Sequence, residues 1–220
     1  MDINNKTFFC SWSGGKDSCL SLYYAIRQGG IPQKLITMLV ENGERSRAHG
    51  LSKDALKKQS EALNIPLGTY ATSMENYEKN FIKVMKEAGE SGISLGVFGD
   101  IDLEEHLLWI KRVCDTAGMG VYHPLWKKSR RKVVDEFIEY GFKAVIVAVK
   151  ENMMGKEYLG REINKALIDE LEKAGVDPAG ENGEYHTLVT GGPIFTKDIE
   201  YKLDGEFNSN GHWFQKVVVY

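Results

Sequence analysis

The stretch Ser13-Gly14-Gly15-Lys16-Asp17-Ser18 decides the fold that this sequence predicts. The apolar run Phe8-Phe9-Cys10 precedes it and apolar residues at helical spacing follow it, which indicates a strand, a loop and a helix. Glycines can adopt positive φ and bring backbone N–H groups toward an anion at the positive end of a helix, where Ser13 and Ser18 add hydroxyl donors. The stretch therefore predicts a site for a polyphosphate.

The two charged residues of this loop favour a nucleotide with its metal. Lys16 would neutralise phosphate charge, and Asp17 would either orient the loop or hold Mg2+ through water. The alternative is a tight turn followed by a capped helix. The adjacent glycines and the short spacing to Lys16 exclude the Walker and dinucleotide patterns. The loop resembles instead the SGGxDS pyrophosphate loop of the N-type ATP pyrophosphatases, which split ATP between the α and β phosphates.

The composition is that of an ordinary globular chain, and it limits the compartment and the partners that we expect for the protein. The 220 residues are 42% hydrophobic and 27% charged, and the net charge of −3 gives little attraction for nucleic acid. Three cysteines without a CxxC pair predict a reducing cytoplasm, and no apolar run approaches the roughly 20 residues that span a bilayer. We therefore expect a cytoplasmic protein without a membrane or nucleic-acid partner. The basic segment 127–132 is either a solvated helix start or a binding patch.

Strand and helix patterns alternate from residue 7 to about residue 126. Such repeats predict an α/β fold with a doubly wound parallel sheet, whose ligands bind at the carboxyl ends of the strands. Beyond Trp126 the pattern changes to helices around a strong strand at 144–149, a glycine-rich connector at 175–193, and two antiparallel strands near the C-terminal end. We expect an ATP-binding domain over 1–126 and a second, smaller mixed α+β domain, for the substrate, over 127–220.

Polar residues at two predicted strand ends extend the candidate site. Gly99 and Asp100 follow the fourth strand, where a glycine lets the backbone approach a ligand and a carboxylate would enter the crevice of the phosphate loop. Capping of the following helix by Asp100 or Asp102 is the alternative, and the pattern leaves both open. His49 lies in the loop after the second strand, where a hydrogen-bonded surface histidine is the commoner role.

A second dense group of functional side chains is Gly180-Glu181-Asn182-Gly183-Glu184-Tyr185-His186-Thr187. Glu181 and Glu184 could bind Mg2+, hold ammonia or take a proton from an attacking amine. The alternative is a solvated loop, but catalytic groups concentrate on loops held by rigid scaffolds. We therefore favour a functional role for this stretch.

These motifs together resemble the diphthine–ammonia ligase family of the N-type ATP pyrophosphatases. The resemblance extends over most of the chain and rests on SGGKDS at 13–18, the 47–50 loop, FGDI at 98–101, VC at 113–114, PLW at 124–126, GENGEYHT at 180–187 and GGPIF at 191–195. It implies a HUP-like fold with a PP-loop, ATP and Mg2+ as cofactors, and ligase activity in diphthamide biosynthesis. ATP would adenylate the carboxylate of diphthine on translation elongation factor 2, and ammonia would displace AMP to give diphthamide.

The resemblance also implies roles for particular residues. Lys16, Asp17, Glu181, Glu184 and His186 would be catalytic. Nucleotide contacts would come from Ser13, Gly14, Gly15, Lys16, Asp17, Ser18, His49, Gly99, Asp100 and the backbone around Met38. Asp17 and Asp100 would hold the metal, and Asn182, Tyr185 and Thr187 would face the substrate.

Other functions remain open at this level. An adenylating enzyme of the same superfamily could act on a different carboxylate or on tRNA, although base thiolation would want a cysteine pair and a basic surface. A sensor that binds ATP or AMP without turnover is the alternative from another class. The sequence does not assign the base, and it leaves a homodimer open.

Overall fold

A computed structural model describes residues 1–47 and 49–220 of the chain. Its contacts divide these residues into two compact units. The first unit contains Met1–Ser13, Asp17–Arg47 and Ile65–Lys127, and the second contains Gly14–Lys16, 49–64 and Lys128–Tyr220. The six-residue glycine loop therefore contributes residues to both units.

The first unit is built on a parallel sheet of five strands, in the order β3-β2-β1-β4-β5. Its strands are β1 (Thr7–Ser11), β2 (Ile31–Leu39), β3 (Leu67–Ala71), β4 (Leu95–Val97) and β5 (Gly120–Tyr122), and its long helices are α1 (Lys16–Arg27), α3 (Tyr77–Glu90) and α4 (Glu104–Ala117). The chain order reverses between β1 and β4, which makes this the switch point of a doubly wound sheet. The predicted α/β fold class is confirmed.

Alternation along the central strand explains how this sheet is covered. Phe9 belongs to a buried cluster with residues of α3 and α4, whereas Phe8 and Cys10 point to the opposite face. Phe9, Phe81 and Phe98 meet edge to face in that cluster, with ring centroids 5.8 Å and 6.5 Å apart. Continuous apolar runs are typical of strands that are buried on both faces, as the sequence predicts.

The second unit contains an antiparallel sheet in the order β7-β6-β9-β8. Its elements are α2 (Lys53–Leu63), α5 (Arg130–Glu139), β6 (Lys143–Lys150), a 3-10 helix (Lys156–Tyr158), α6 (Lys165–Lys173), β7 (Tyr185–Gly191), β8 (Tyr201–Ser209) and β9 (His212–Val219). Strands β8 and β9 form a hairpin through Asn210 and Gly211, whose φ angles are 51° and 74°. Two left-handed residues in a two-residue loop are the signature of a type I′ turn.

One detail differs from the sequence-based expectation. The segment 175–193 is not one connector, because β7 begins at Tyr185 and pairs with β6. Gly205 lies inside β8, and helix α6 begins after Asn164, whose side chain accepts the N–H of Leu167.

The basic segment at 127–132 is largely committed to ion pairs inside the second unit. Lys128 contacts Glu136 at 2.7 Å, and Arg130 contacts Asp177 at 2.6 Å. Arg131 contacts three acidic side chains: Asp135, Asp169 and Glu172. This segment therefore fastens helix α5 to its neighbours.

Candidate functional site

The glycine loop lies between the end of β1 and the first turn of α1. The hydroxyls of Ser13 and Ser18 are 3.0 Å apart, and Asp17 stands in the first helical turn. Of the two glycines, Gly14 has a positive φ of 81°, whereas Gly15 does not lie in the left-handed region. The expected positive φ is thus realised at Gly14 alone.

Gly99 follows β4 and passes close to this helix start. A Cβ at Gly99 would lie 3.0 Å from the backbone N of Ser18 and 3.0 Å from the carbonyl carbon of Asp17, so a larger residue would push the two segments apart. Strands β1 and β4 are neighbours at the switch point. Their ends therefore come together as the sequence predicts, in a cradle whose narrowness depends on glycine.

Asp100 lies between two imidazoles that the sequence analysis did not identify. Its carboxylate is 3.4 Å from Nδ1 of His106 and 3.5 Å from Nε2 of His123, and its side chain is 16% exposed. Burial raises the pKa of Asp100, but the adjacent imidazoles of His106 and His123 outweigh this effect and lower the pKa to about 2. The N-cap position of helix α4 is Leu103 and not Asp100 or Asp102.

Met38 lies near the end of β2, with its side chain in the core cluster of the first unit. In the strand ladder it is opposite Tyr70 of β3. Its buried thioether is part of the packing, so only its backbone is available for adenine. That role remains a prediction.

Lys16 is 4% exposed and has its contacts inside the second unit. Its ammonium donates to the carbonyl of Ala179 and lies 5.3 Å from the ring centroid of Tyr185. Its backbone N–H donates to Oγ1 of Thr187 at 3.1 Å. A buried cation requires such partners, because an unpaired one is costly to desolvate. Thr187, expected to face substrate, thus fixes the loop backbone.

His49 and His186 form a close pair of rings beside Gly15. The ring centroids are 4.6 Å apart, and a Cβ at Gly15 would lie 2.3 Å from Nε2 of His49. Nδ1 of His49 is buried without a hydrogen-bond partner among the described residues. Burial, His186 and the Lys16 cation together hold the pKa of His49 well below its usual value. Burial, Lys16 and His212 lower the pKa of His186 to about 4.

The acidic stretch of the second unit is held by hydrogen bonds within itself. Glu184 is 4% exposed and accepts the backbone N–H of Asn182 at 3.1 Å and its side-chain amide at 2.9 Å. The N–H of Glu181 donates to Asp177 at 2.9 Å, and the hydroxyl of Tyr185 donates to the carbonyl of Pro178 at 2.5 Å. These bonds order the stretch, whereas the substrate contacts expected of Asn182 and Tyr185 stay predictions.

Gln59 is a structural part of this site that the sequence analysis missed. It is completely buried on α2, and its amide donates to the carbonyls of Gly14 at 2.8 Å and Val189 at 2.7 Å. The N–H of Val189 also donates to the Gly14 carbonyl at 2.9 Å. A polar residue on the inner stripe of a helix was the available signal, since buried amides are normally hydrogen-bonded.

The residues present fit a nucleotide with a weakly held metal. Gly99 lets the end of β4 pack closely against the start of α1, and the loop lies at this helix N-terminus, where anions bind. Within 1–47 and 49–220, no three His, Cys, Asp or Glu side chains are grouped to hold a metal ion. Mg2+ commonly needs only one or two carboxylates beside substrate phosphates, and Asp17 and Asp100 offer oxygen ligands.

A parallel sheet with a glycine loop at its switch point places this protein in the class of doubly wound α/β proteins, whose ligands bind at that point of the sheet. The diphthamide synthase N-terminal domain matches residues 6–121, and the diphthamide synthase C-terminal domain matches residues 129–219. The chain belongs to the diphthamide synthase family.

Relatives named diphthine–ammonia ligase are similar over most of this chain. The Schizosaccharomyces pombe protein is 24% identical over 209 residues, which are 85% of this chain but 34% of that protein. The mouse and human proteins are each 26% identical, over 216 and 215 residues, with 85% of this chain and 79% of each relative covered. The chain thus spans about a third of the yeast relative and about four fifths of the mammalian ones.

Two solved structures are weakly similar to this chain. A predicted subunit of tRNA methyltransferase from Methanocaldococcus jannaschii has a TM-score of 0.47 and 16% identity, with 86% of this chain and 98% of that chain covered. A 4-thiouridine synthetase in a complex with RNA and ATP has a TM-score of 0.44 and 15% identity, with 62% and 41% covered. In the described part of this chain, no helix combines the length and apolar character needed to cross a membrane.

Proposed function

We propose that this protein is an ATP-dependent, AMP-forming amide ligase that converts diphthine on translation elongation factor 2 to diphthamide with ammonia. The observation that carries the proposal is the match of both diphthamide synthase domains, over residues 6–121 and 129–219, to a chain that contains the SGGKDS loop. The names of the relatives agree with this activity. Residues 1–126 would bind ATP, and residues 127–220 would serve the acceptor.

In this proposal the glycine loop holds the pyrophosphate portion of ATP. Ser13, Ser18 and the start of α1 would donate to phosphate oxygens, and Gly99 would permit close approach. Charge builds on the pyrophosphate as it leaves, so fixed donors and a nearby cation lower the barrier electrostatically. Lys16 would supply that cation, and Asp17 and Asp100 would hold Mg2+.

The amidation step requires neutral ammonia beside the activated acyl group. Glu184 is buried and held by Asn182, while His49 and His186 are uncharged imidazoles at neutral pH because their pKa values are lowered. A buried carboxylate can hold an ammonium ion, and a neutral imidazole can accept a proton from it. We assign Glu181, Glu184 and His186 to this step without choosing among them as the base.

The test is ATP turnover with Mg2+ and ammonium, with and without diphthine-bearing elongation factor 2. We expect AMP and pyrophosphate that appear only with the factor, together with one amide per AMP. AMP without dependence on the factor would reopen the acceptor. ADP and phosphate as products would refute the assignment of the glycine loop.

Variants separate the two half-reactions. Lys16→Ala and Asp17→Ala should abolish AMP formation, because each removes charge next to the phosphates. Glu184→Gln should retain ATP binding and impair amide formation, since it changes the charge of one buried group with little change of shape. An equal loss of ATP affinity in all three variants would contradict this division of roles.

A further inference from the structure

A cleft of about 580 Å³ opens in the first unit between the N-terminal parts of α3 and α4. We call it the aromatic cleft. Tyr77 and Trp109 form its walls, and its lining also includes Met74, Glu75, Glu78 and His106. Neither the glycine loop nor the acidic stretch at 180–187 contributes to this lining.

The aromatic walls are fixed before any ligand arrives. The ring centroids of Tyr77 and Trp109 are 5.9 Å apart, and Phe81 stacks under Trp109 at 5.9 Å with planes only 7° apart. The indole N–H of Trp109 donates to Glu78 at 2.8 Å, and Arg112 donates two hydrogen bonds of 2.7 Å and 2.6 Å to the same carboxylate. A bidentate pair of this kind fixes the orientation of both side chains and compensates the charge of the carboxylate.

The chemistry of the lining favours one class of ligand. The described lining contains the carboxylates of Glu75 and Glu78 and no lysine or arginine. Arg112 compensates the charge of Glu78, and the guanidinium of Arg47 lies 5.9 Å from the ring centroid of Tyr77. Trp109 and the exposed Glu75 are therefore the groups that would attract a further cation. Aromatic faces attract cations, and they suit methylated ammonium groups because these have no N–H that demands a hydrogen-bond acceptor.

The cleft also adjoins a residue of the candidate nucleotide site. His106 lines the cleft, and its Nδ1 is 3.4 Å from the carboxylate of Asp100. We propose that the aromatic cleft binds the quaternary ammonium group of the acceptor. This inference rests on the proposed function, because diphthine carries a trimethylammonium group on the carbon that bears its carboxylate. A cation held in the cleft would place that carboxylate on the Asp100 side.

Binding of small probes without ATP tests the cleft independently of catalysis. Glycine betaine has a trimethylammonium and a carboxylate on one carbon, and 3,3-dimethylbutanoate has the same shape without the cation. In NMR titrations we expect betaine to shift the indole N–H signal of Trp109 and to bind about fivefold more tightly than 3,3-dimethylbutanoate, which keeps the carboxylate but lacks the cation, as a cation–π interaction of about 1 kcal/mol implies. Equal binding of the two probes, or no shift of that signal, would overturn the proposal.

Variants distinguish the aromatic contact from folding effects. Trp109→Leu should remove the preference for betaine, whereas Trp109→Phe should keep most of it. Glu75→Lys changes an exposed side chain, so even if the Trp109 variants fold poorly it should weaken betaine binding relative to the binding of the anionic 3,3-dimethylbutanoate. An unchanged ratio of the two affinities in Glu75→Lys would contradict the role of that charge.

A further titration tests the competing occupant. If AMP shifts the Trp109 signal and displaces betaine, the cleft is an adenosine pocket and the inference fails while the ligase proposal stands. Conversely, betaine binding in a protein whose AMP release does not depend on elongation factor 2 would retain the cation site and reopen the identity of the acceptor.

Discussion

Protonation of His186 should destabilise the folded protein as the pH falls below neutrality. Its pKa is lowered from 6.5 to about 4 in the folded state by burial, Lys16 and His212. The unfolded chain therefore binds more protons between these values, and the stability that is fully present above pH 6.5 is lost as the pH falls toward 4. At pH 4.5 an imidazole with the unfolded pKa is almost fully protonated, whereas the imidazole in the folded protein is about one quarter protonated. The shift in pKa therefore lowers the free energy of unfolding at pH 4.5 by about 2.5 kcal/mol.

Urea denaturation of the wild type and His186→Asn at pH 7.0 and pH 4.5 measures this effect. The asparagine side chain does not titrate, so the variant should lose about 2.5 kcal/mol less than the wild type between the two pH values. The difference between the two proteins cancels the contributions of carboxylates that also titrate in this range. The slopes of the transitions must agree between variants for the comparison to hold.

An equal loss of stability between pH 7.0 and pH 4.5 in the wild type and in His186→Asn would refute the reasoning. It would mean that the imidazole is protonated equally in both states and that Lys16 does not act on it in the folded protein. A variant that loses more stability than the wild type would show that the protonated imidazole stabilises the fold, which reverses the sign argued from the Lys16 cation.

Three further predictions concern the loop and its neighbours. Gly15→Ala should reduce AMP formation at least about 100-fold, because its Cβ would meet the His49 ring at 2.3 Å, whereas Gly89→Ala, with its nearest atom at 3.6 Å and a place inside helix α3, should leave turnover unchanged and should not lower the melting temperature. Gln59→Ala should lower the free energy of unfolding in urea by about 2–3 kcal/mol, since the buried carbonyls of Gly14 and Val189 each lose one hydrogen bond; a loss below about 0.5 kcal/mol would show that other donors replace the amide. Asp100→Asn should remove about 2 kcal/mol of stability that the wild type has above pH 3.8 and loses as the pH falls through about 2, and equal stability of both proteins at pH 6 would contradict the lowered pKa of Asp100.

The sequence predicts the elements of the first unit well, because their signals are local. Strand β1, the glycine loop and α1 lie within one continuous segment, where an apolar run, two glycines and a helical stripe follow one another. The cap of α2 is local too, since Ser52 accepts the N–H of Ala55 three residues later. Such features need no knowledge of distant contacts.

Strand β7 was missed because its signal is not local. Its first residues, Tyr185, His186 and Thr187, look like functional groups on a loop, and their place in a strand is decided by pairing with β6 about forty residues earlier. The neighbour His123 of Asp100 was missed for the same reason, since it lies beyond α4. Sequence spacing identifies polar residues, but tertiary contacts decide which of them become neighbours.

Hydrogen bonds from distant parts of the chain maintain the conformation of the glycine loop. A loop of this kind could in principle be held by the strand and helix that flank it. Here the carbonyl of Gly14 accepts bonds from Gln59 and Val189, and the N–H of Lys16 donates to Thr187. These hydrogen-bond partners of the loop backbone lie on α2 and β7, which are distant from the loop in the sequence. The hydroxyls of Ser13 and Ser18 lie close to each other instead. The residues predicted to bind phosphate therefore depend on the stretch predicted to serve the acceptor, and a substitution at Thr187 should disturb the loop backbone even if Thr187 never touches the substrate.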